Sequence, residues 1–152
     1  MPSIQIWGPS TWTILHTMAE KINENDFARL LPQFFGFIRR ICAFLPCPEC
    51  SQHATRFLAK LKKEDISTKT DFKNMLYCFH NVVNAKKHKP LYNHINMEKY
   101  KSIPLQVAFN NFVSVYNTRG NMRLLAETFQ RKLVVRDLKS WLLTNVNSFS
   151  LP

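Results

Sequence analysis

Glycine is scarce in this 152-residue chain, which contains only three, beside eight prolines. An all-β protein needs turn residues between its many short strands, so this scarcity favours helices. The most apolar stretch, 27–45, is broken by Arg29, Pro32, Arg39 and Arg40, whereas a bilayer helix needs about 20 mostly apolar residues. The N-terminus also lacks the basic and apolar regions of a secretory signal. We therefore expect neither a transmembrane segment nor a signal peptide.

Acidic residues are also scarce, with ten Asp and Glu against 21 Lys and Arg, which gives a formal net charge of +11 at pH 7. Such a charge favours nonspecific contact with anionic partners but does not identify a fold. Hydrophobic residues make up 45% and charged residues 20% of the chain. Because these fractions are close to ordinary globular usage, we expect a folded domain and not a disordered chain.

Helical patterns follow one another along the chain. The apolar spacing predicts helices over 11–22, 27–44 and 47–61, with a break and a cap at 8–10 in front of the first. A fourth helix is expected to start at a cap on Thr70 or Asp71 and to end among the cations before Pro90. A short fifth turn is expected over 97–102.

Two further helical patterns lie beyond Pro104, over 105–116 and 122–146, and Gly120 separates them. We therefore predict an all-α protein. Residues 1–103 form a helical bundle, and residues 104–152 form a helical C-terminal extension that packs on the bundle or on a second subunit.

Four cysteines are too few for a disulfide-stapled scaffold of this length, and two of them, Cys47 and Cys50, are close together. Pro48 suits the first helical position, which places Cys47 near the N-cap. Free backbone N–H groups and the helix dipole there stabilise a thiolate. A pair at i and i+3 can also close a disulfide, so the motif predicts a redox-active pair. Cys42 and Cys78 are expected to be reduced and buried.

The same motif fits a zinc site, because a lone CxxC pair can be half of one. Cys47, Cys50, Cys78 and His80 would supply three sulfurs and one imidazole, although Cys78 and His80 lie two apart on a helix and point in different directions. That interpretation predicts a basic, zinc-stabilised module that binds nucleic acid. A third interpretation makes the pair a structural disulfide in a helical assembly protein. From the residues alone, redox and zinc chemistry stand about even.

Three segments in order decide between these interpretations. The residues that carry them are Trp12, Leu15, His16, Cys47, Cys50, His53, His80, Asn81, Val83, Asn84, Lys89 and Pro90. They resemble the W-x-x-L-H, C-x-x-C-x-x-H and H-N-x-V-N-x-x-L-x-K-P motifs of the Erv/ALR family of FAD-linked sulfhydryl oxidases. The resemblance covers residues 7–102, and Leu45 before Pro46 is most like the large-DNA-virus branch.

The resemblance implies a four-helix bundle with a short fifth helix and an FAD-binding sulfhydryl oxidase domain within residues 1–103. It implies that a partner's thiolate attacks Cys47 and that Cys50 faces the flavin. Electrons would pass from the pair to FAD and then to O2, which gives H2O2. The residues that it places at the FAD site are Gly8, Trp12, His16, Cys50, His53, His80, Asn81, Val83, Asn84, Lys87, Lys89 and Tyr100.

The resemblance also implies a dithiol protein substrate, either thioredoxin-like or a small viral protein with a CxxC motif, and a homodimer. It implies action in the host cytoplasm or the virus particle, with no specific nucleic-acid partner. The chain departs from the family at three points. Tyr77 and His94 occupy the positions at which many relatives have a structural disulfide, and Lys87 replaces the usual leucine. No second cysteine pair is present, so a partner must reach Cys47 directly.

Overall fold

A computed structural model of the chain describes residues 4–116 and 125–152. Its α-helices are α1 (Ile4–Lys21), α2 (Glu24–Ala43), α3 (Pro48–Ala59), α4 (Lys69–Lys86), α5 (Leu105–Tyr116) and α6 (Leu125–Thr144). Short 3₁₀ segments cover Lys63–Asp65, His94–Lys101 and Val146–Ser148. The described residues contain no named strand, only one isolated bridge between Ile22 and Phe149. The all-α fold class is confirmed, and the predicted break at Gly120 lies outside the described residues.

The first helix begins earlier than predicted. It starts at Ile4 and continues through Pro9, whereas the sequence indicated a break before Thr11. Trp7 is buried in the core, and the Thr11 hydroxyl donates to the Trp7 carbonyl oxygen at 2.8 Å. These contacts stabilise the added turn by more than the one backbone hydrogen bond that Pro9 cannot donate would contribute.

The predicted cap of α4 was also wrong. The N-cap is Thr68, whose hydroxyl accepts a hydrogen bond from the Asp71 backbone N–H at 3.1 Å. The Asp71 carboxylate accepts one from the Thr68 N–H at 3.1 Å. This reciprocal arrangement is a capping box, so Asp71 is the third residue of the helix and not its cap.

The core is arranged around α1. This helix packs against α4, α5 and the 3₁₀ segment His94–Lys101, while α2 packs against α3 and α6. The fully buried side chains at the centre are Ile14, Leu15, Phe34, Ile38, Phe72, Leu76, Phe112 and Leu138. None of the described helices combines the length and apolarity that a membrane crossing requires.

The C-terminal extension packs on its own bundle. The α5 residues Leu105, Ala108 and Phe112 are buried along α1. On α6, the Trp141 indole donates to the Gln33 side-chain oxygen of α2 at 2.7 Å. The division into domains at residues 103 and 104 stays a prediction.

The last residues join three parts of the fold. The backbone N–H of Asn23 donates to the Ser148 carbonyl at 2.8 Å, and that of Ser150 donates to the Lys21 carbonyl at 2.7 Å. The buried Lys21 ammonium donates to the carbonyl oxygens of Lys101, at 2.7 Å, and Pro152. The corner between α1 and α2 is therefore held by the C-terminal segment.

Candidate active site

A disulfide joins Cys47 and Cys50 at the start of α3. Cys47 is the N-cap in an extended conformation, and Pro48 occupies the first turn, as the sequence predicts. The Cys50 backbone N–H donates to the Cys47 sulfur at 3.3 Å. A helix N-terminus favours negative charge on a sulfur at this position. The arrangement therefore suits Cys47 to accept electrons or to leave as a thiolate.

The segment in front of the pair is fixed by Ser51, which sequence reasoning missed. Its hydroxyl accepts a hydrogen bond from the Leu45 backbone N–H at 2.9 Å, and its backbone N–H donates to the Cys47 carbonyl at 3.0 Å. The signal for this contact was a hydroxyl residue directly after the CxxC motif, within the first turn of α3.

A largely apolar cavity borders Cys50 but not Cys47. The residues that line it are Trp7, Gly8, Thr11, Trp12, Leu15, Cys42, Leu45, Cys50, His53, Ala54, Phe79, Val83 and Lys87. The two sulfurs therefore have different surroundings, and only the inner one lies on this cavity.

A second cavity adjoins the first. Its lining residues are Ile4, Gly8, Pro9, Trp12, Thr13, His80, Val83, Asn84, Lys87, Lys89, Tyr92, Lys99 and Tyr100. Gly8, Trp12, Val83 and Lys87 border both cavities. We call the two together the cleft, which extends from Cys50 to the lysines and tyrosines that follow α4.

One wall of the cleft is a set of near-parallel rings. The ring centroids of Trp12 and His80 lie 4.1 Å apart, and those of His80 and Tyr92 lie 4.3 Å apart. Behind them, His16 stacks on Tyr100 at 4.7 Å, and the two tyrosine hydroxyls are 2.7 Å apart. Rings stacked in this way form an aromatic column, and a planar ligand can extend such a stack.

The two histidines of this wall carry no charge near neutral pH. The His16 Nε2 lies 3.0 Å from the His80 Nδ1, so one ring donates to the other. Burial, together with the nearby His80 and Lys99, lowers the pKa of His16 to about 3. Burial also lowers the pKa of His80 to about 4, helped by Lys99 and Lys89. The His16 Nδ1 is buried and finds no hydrogen-bond partner within the part of the chain that the structure describes.

Positive charge collects around the cleft. Lys87, Lys89 and Lys99 border it, and the Lys99 ammonium lies 5.2 Å from the Tyr100 ring centroid. Burial lowers the pKa of Lys87, and the charge of Lys89 lowers it further. Anionic groups such as phosphates are favoured beside such a cluster. Lys99 was missed from the sequence, although it directly precedes the predicted Tyr100.

Asn81 and Asn84, the two asparagines after His80, make different contacts. The Asn81 amide donates to the Tyr92 carbonyl oxygen at 3.2 Å and accepts from the Tyr92 N–H at 2.5 Å, so it binds backbone and is not among the cleft-lining residues. Asn84 borders the cleft and donates to the Pro90 carbonyl at 3.4 Å. Together they fix the segment that carries Tyr92, an aromatic two residues after Pro90 that sequence reasoning missed.

Most of the predicted site residues come together at the cleft. Those that border it are Gly8, Trp12, Cys50, His53, His80, Val83, Asn84, Lys87, Lys89 and Tyr100. His16 and Asn81 do not border the cleft, but each is hydrogen-bonded to a residue that does. His16 contacts the His80 ring, and Asn81 contacts the Tyr92 backbone. Cys47 lies outside the cleft and is bonded to Cys50.

The remaining cysteines do not form a metal site with the pair. Cys78 is exposed, which corrects the expectation that it is buried. Cys42 is buried as expected, and burial raises the pKa of its thiol to about 12. Within the described ranges, no group of three or more His, Cys, Asp or Glu side chains is placed to hold a metal ion. The zinc interpretation therefore has no support.

The positions of the missing structural disulfide are in contact. The rings of Tyr77 on α4 and His94 in the following 3₁₀ segment meet edge to face, with their centroids 4.9 Å apart. A noncovalent contact therefore joins the two segments at this point.

Comparison with known proteins agrees with this geometry. Residues 9–102 match the family model described as "Erv1 / Alr family". "Putative FAD-linked sulfhydryl oxidase 347L" of Invertebrate iridescent virus 6 is 32% identical over 92 residues, which cover 57% of this chain and 83% of that protein. No solved structure matches the chain.

Two further relatives come from different sources. The FAD-linked sulfhydryl oxidase of African swine fever virus (isolate Tick/Malawi/Lil 20-1/1983) is 29% identical over 104 residues, which cover 68% of this chain and 84% of the relative. The mitochondrial FAD-linked sulfhydryl oxidase erv1 of Schizosaccharomyces pombe is 28% identical over 94 residues, which cover 61% of this chain and 52% of that protein.

Proposed function

This chain belongs to the Erv1 / Alr family and is an FAD-linked thiol oxidase, and we propose that it forms disulfides in a partner protein. In this proposal, two electrons pass from the Cys47–Cys50 pair to FAD and then to O2, with H2O2 as the product. The observation that carries it is the unequal placement of the two sulfurs. Cys50 borders the cleft, whereas Cys47 lies outside it at the N-cap of α3.

The cleft fits FAD in three respects. The stacked rings of Trp12, His80 and Tyr92 form an aromatic column against which a tricyclic ring system can stack. Lys87 and Lys89 suit a pyrophosphate. The buried His16 Nδ1 has no hydrogen-bond partner among the described residues. We assign the FAD site to Gly8, Trp12, His16, Cys50, His53, His80, Asn81, Val83, Asn84, Lys87, Lys89 and Tyr100, and add Tyr92 and Lys99.

The thiol chemistry takes place at the two cysteines. A partner's thiolate attacks the Cys47 sulfur and forms a mixed disulfide, while the Cys47–Cys50 bond breaks and its electron pair stays on Cys50 as a thiolate. A second thiolate of the partner then attacks the partner's own sulfur in the mixed disulfide and displaces Cys47 as a thiolate. The partner has lost two electrons and the pair has gained them.

The surroundings of each sulfur support these roles. The Cys50 N–H directed at the Cys47 sulfur stabilises the thiolate that leaves in the second step. The apolar lining beside Cys50 keeps water away from the other thiolate. Bound FAD supplies the electron acceptor beside Cys50 and the reaction with O2.

Substitution of each cysteine tests the proposal. We expect Cys47→Ser and Cys50→Ser to reduce dithiol-dependent O2 uptake to background, because each removes one of the two sulfurs that exchange. Cys78→Ser, at an exposed position away from the cleft, is the matched control and should retain the activity. Wild-type turnover in Cys47→Ser, or a purified protein without flavin absorbance, would overturn the proposal.

The partner can be identified with one of these variants. We propose a dithiol protein, either thioredoxin-like or a small viral protein with a CxxC motif, acting in the host cytoplasm or the virus particle. In Cys50→Ser, the Cys47 thiolate attacks a disulfide of the oxidised partner and displaces one partner thiolate, and no Cys50 thiol is present to resolve the mixed disulfide that results. Mass spectrometry of the mixed disulfide trapped in infected cells tests the identity of the partner. Separating cytoplasm from virus particles before this measurement tests the place of action.

We further propose that the chain acts as a homodimer. Two large apolar side chains on α6, Phe129 and Leu143, are 61% and 64% exposed and are available to a second subunit. Light scattering should give a mass of about twice 17.9 kDa, and Phe129→Glu should lower it. A mass of one chain at assay concentrations would contradict the dimer.

A further inference from the structure

Arg131 is a buried cation that forms no ion pair among the described residues, although the charge of Glu127, four residues earlier on α6, acts on it. It lies on α6, outside the residues that match the family, and its side chain is 0% exposed. No carboxylate among the described residues lies within ion-pair distance of it. Burying an unpaired charge is costly, so the contacts that Arg131 makes must repay this cost.

These contacts are directed at the end of α2. One arm of the Arg131 guanidinium donates to the Phe44 carbonyl oxygen at 3.1 Å, and the other donates to the Thr128 hydroxyl at 3.1 Å. The Tyr116 hydroxyl of α5 donates to the Ile41 carbonyl at 3.1 Å. Two side chains of the extension therefore bind carbonyls at the C-terminal end of α2, where the Ile41 carbonyl also accepts from the Phe44 N–H.

The end of α2 lies directly in front of the reactive pair. Phe44 is the C-cap of α2, and Cys47 is the N-cap of α3 three residues later. Leu45 between them is buried and is held by the Ser51 hydroxyl. The carbonyl end of a helix carries partial negative charge. At this distance along the chain, that charge opposes the formation of a thiolate at Cys47 or Cys50.

We propose that Arg131 is a positioning residue that keeps the Cys47–Cys50 pair oxidising, by offsetting the negative end of α2 with a buried positive charge. The charge stabilises the reduced, thiolate-containing pair and leaves the neutral disulfide unaffected. This raises the tendency of the disulfide to accept electrons. The inference rests on the proposed function in that it takes the pair to be redox-active.

The test is the equilibrium between the pair and glutathione. Two glutathione thiols reduce the Cys47–Cys50 disulfide to a dithiol and become one glutathione disulfide, so electrons and protons balance. In Arg131→Gln, the equilibrium constant for reduction of the pair should fall on the order of fivefold. This change corresponds to about 20 mV. The full chain with its bound FAD is equilibrated without O2, and the reduced cysteines are counted by alkylation and mass spectrometry.

Two further variants keep the test decisive. Arg136→Gln removes the same charge from an exposed position on the same helix, so its equilibrium constant should match the wild type within twofold. Arg131→Lys retains the charge, so it should also stay within twofold. Equal constants for Arg131→Gln and the wild type would overturn the proposal. If Arg131→Gln does not fold, a fivefold fall in folded Arg131→Lys would overturn it, because the charge is still present.

This measurement is separate from the test of the function. A shifted equilibrium in a protein that shows no dithiol-dependent O2 uptake would support the role of Arg131 and contradict the oxidase proposal. Normal O2 uptake with an unshifted equilibrium would support the oxidase proposal and contradict the role of Arg131.

Discussion

At the residue scale, the cleft depends on two uncharged histidines, His16 and His80. His16 and His80 share one hydrogen bond and stack with tyrosine and tryptophan rings. Their pKa values are lowered to about 3 and about 4, with burial as the largest cause. A proton added to either ring would place a charge among apolar rings beside Lys99.

The stability of the protein should therefore decrease in mild acid. The unfolded histidines bind protons below their ordinary pKa of 6.5, while the folded ones do not until pH 4 or lower. Stability is thus complete above pH 6.5 and is lost as the pH falls toward 4. We expect the free energy of unfolding in urea to be lower at pH 5 than at pH 7 by about 4 kcal/mol, roughly half from each histidine.

A non-titrating ring is the control for this pH dependence. His80→Phe retains an aromatic ring between Trp12 and Tyr92 but removes one proton-binding site. Its loss of stability between pH 7 and pH 5 should be about half that of the wild type. Equal stability of the wild type at both values would contradict the uncharged pair.

Asn81 gives a second prediction at this scale. Its amide makes two hydrogen bonds to the backbone of Tyr92. Asn81→Ala should lower the free energy of unfolding by about 1 to 2 kcal/mol, because it leaves the Tyr92 backbone unpaired. It should also weaken FAD retention during dialysis, since Tyr92 is part of the ring wall. Asn74→Ala, exposed on the same helix, is the control and should change neither quantity.

The residue types at the cleft could be predicted, but their contacts could not. The motif placed His80, Asn81 and Asn84 near one another, and the structure places all three at or beside the cleft. That Asn81 binds the Tyr92 backbone depends on how the chain returns after Pro90, which no local pattern specifies. The same return brings Tyr92 into the wall.

At the scale of single helices, the ends were harder to predict than the apolar faces. The predicted limits 105–116 agree with α5, and α2 differs by only a few residues at its start. The start of α1 was wrong because the burial of Trp7 outweighs the local effect of Pro9. Local propensity indicates a break there, and only packing shows why the helix continues.

The capping box of α4 is directly testable. Thr68→Ala removes the hydroxyl that accepts the Asp71 N–H and should lower the free energy of unfolding by about 1 kcal/mol. Thr70→Ala, at one of the positions favoured from the sequence, should cost clearly less. If the two costs are reversed in urea titrations, the helix begins where the sequence indicated.

For the whole molecule, the last five residues are more important than their position suggests. They contribute the buried Phe149, the backbone partners of Lys21 and Leu105, and an acceptor for the buried Lys21 ammonium. Deletion of residues 148–152 should therefore lower the free energy of unfolding on the order of 3 kcal/mol.

A single substitution separates packing from chain length. Phe149→Ala should reproduce most of this loss in thermal unfolding, because it empties a core site. Ser150→Ala, at an exposed position whose backbone bond is retained, should have little effect. A deletion variant as stable as the full chain would contradict the role of the C-terminal segment. No motif indicated this role, because it depends on where the end of the chain returns to the fold, which brings Phe149 into the core and the backbone beside Lys21 and Asn23.

The ring contact between Tyr77 and His94 has a consequence for handling the protein. The four cysteines all lie in the described part of the chain, and only Cys47 and Cys50 are bonded to each other. Dithiothreitol or phosphine added in excess therefore has no architectural crosslink to sever. The Cys47–Cys50 disulfide is therefore expected to undergo repeated reduction and reoxidation while the fold stays intact.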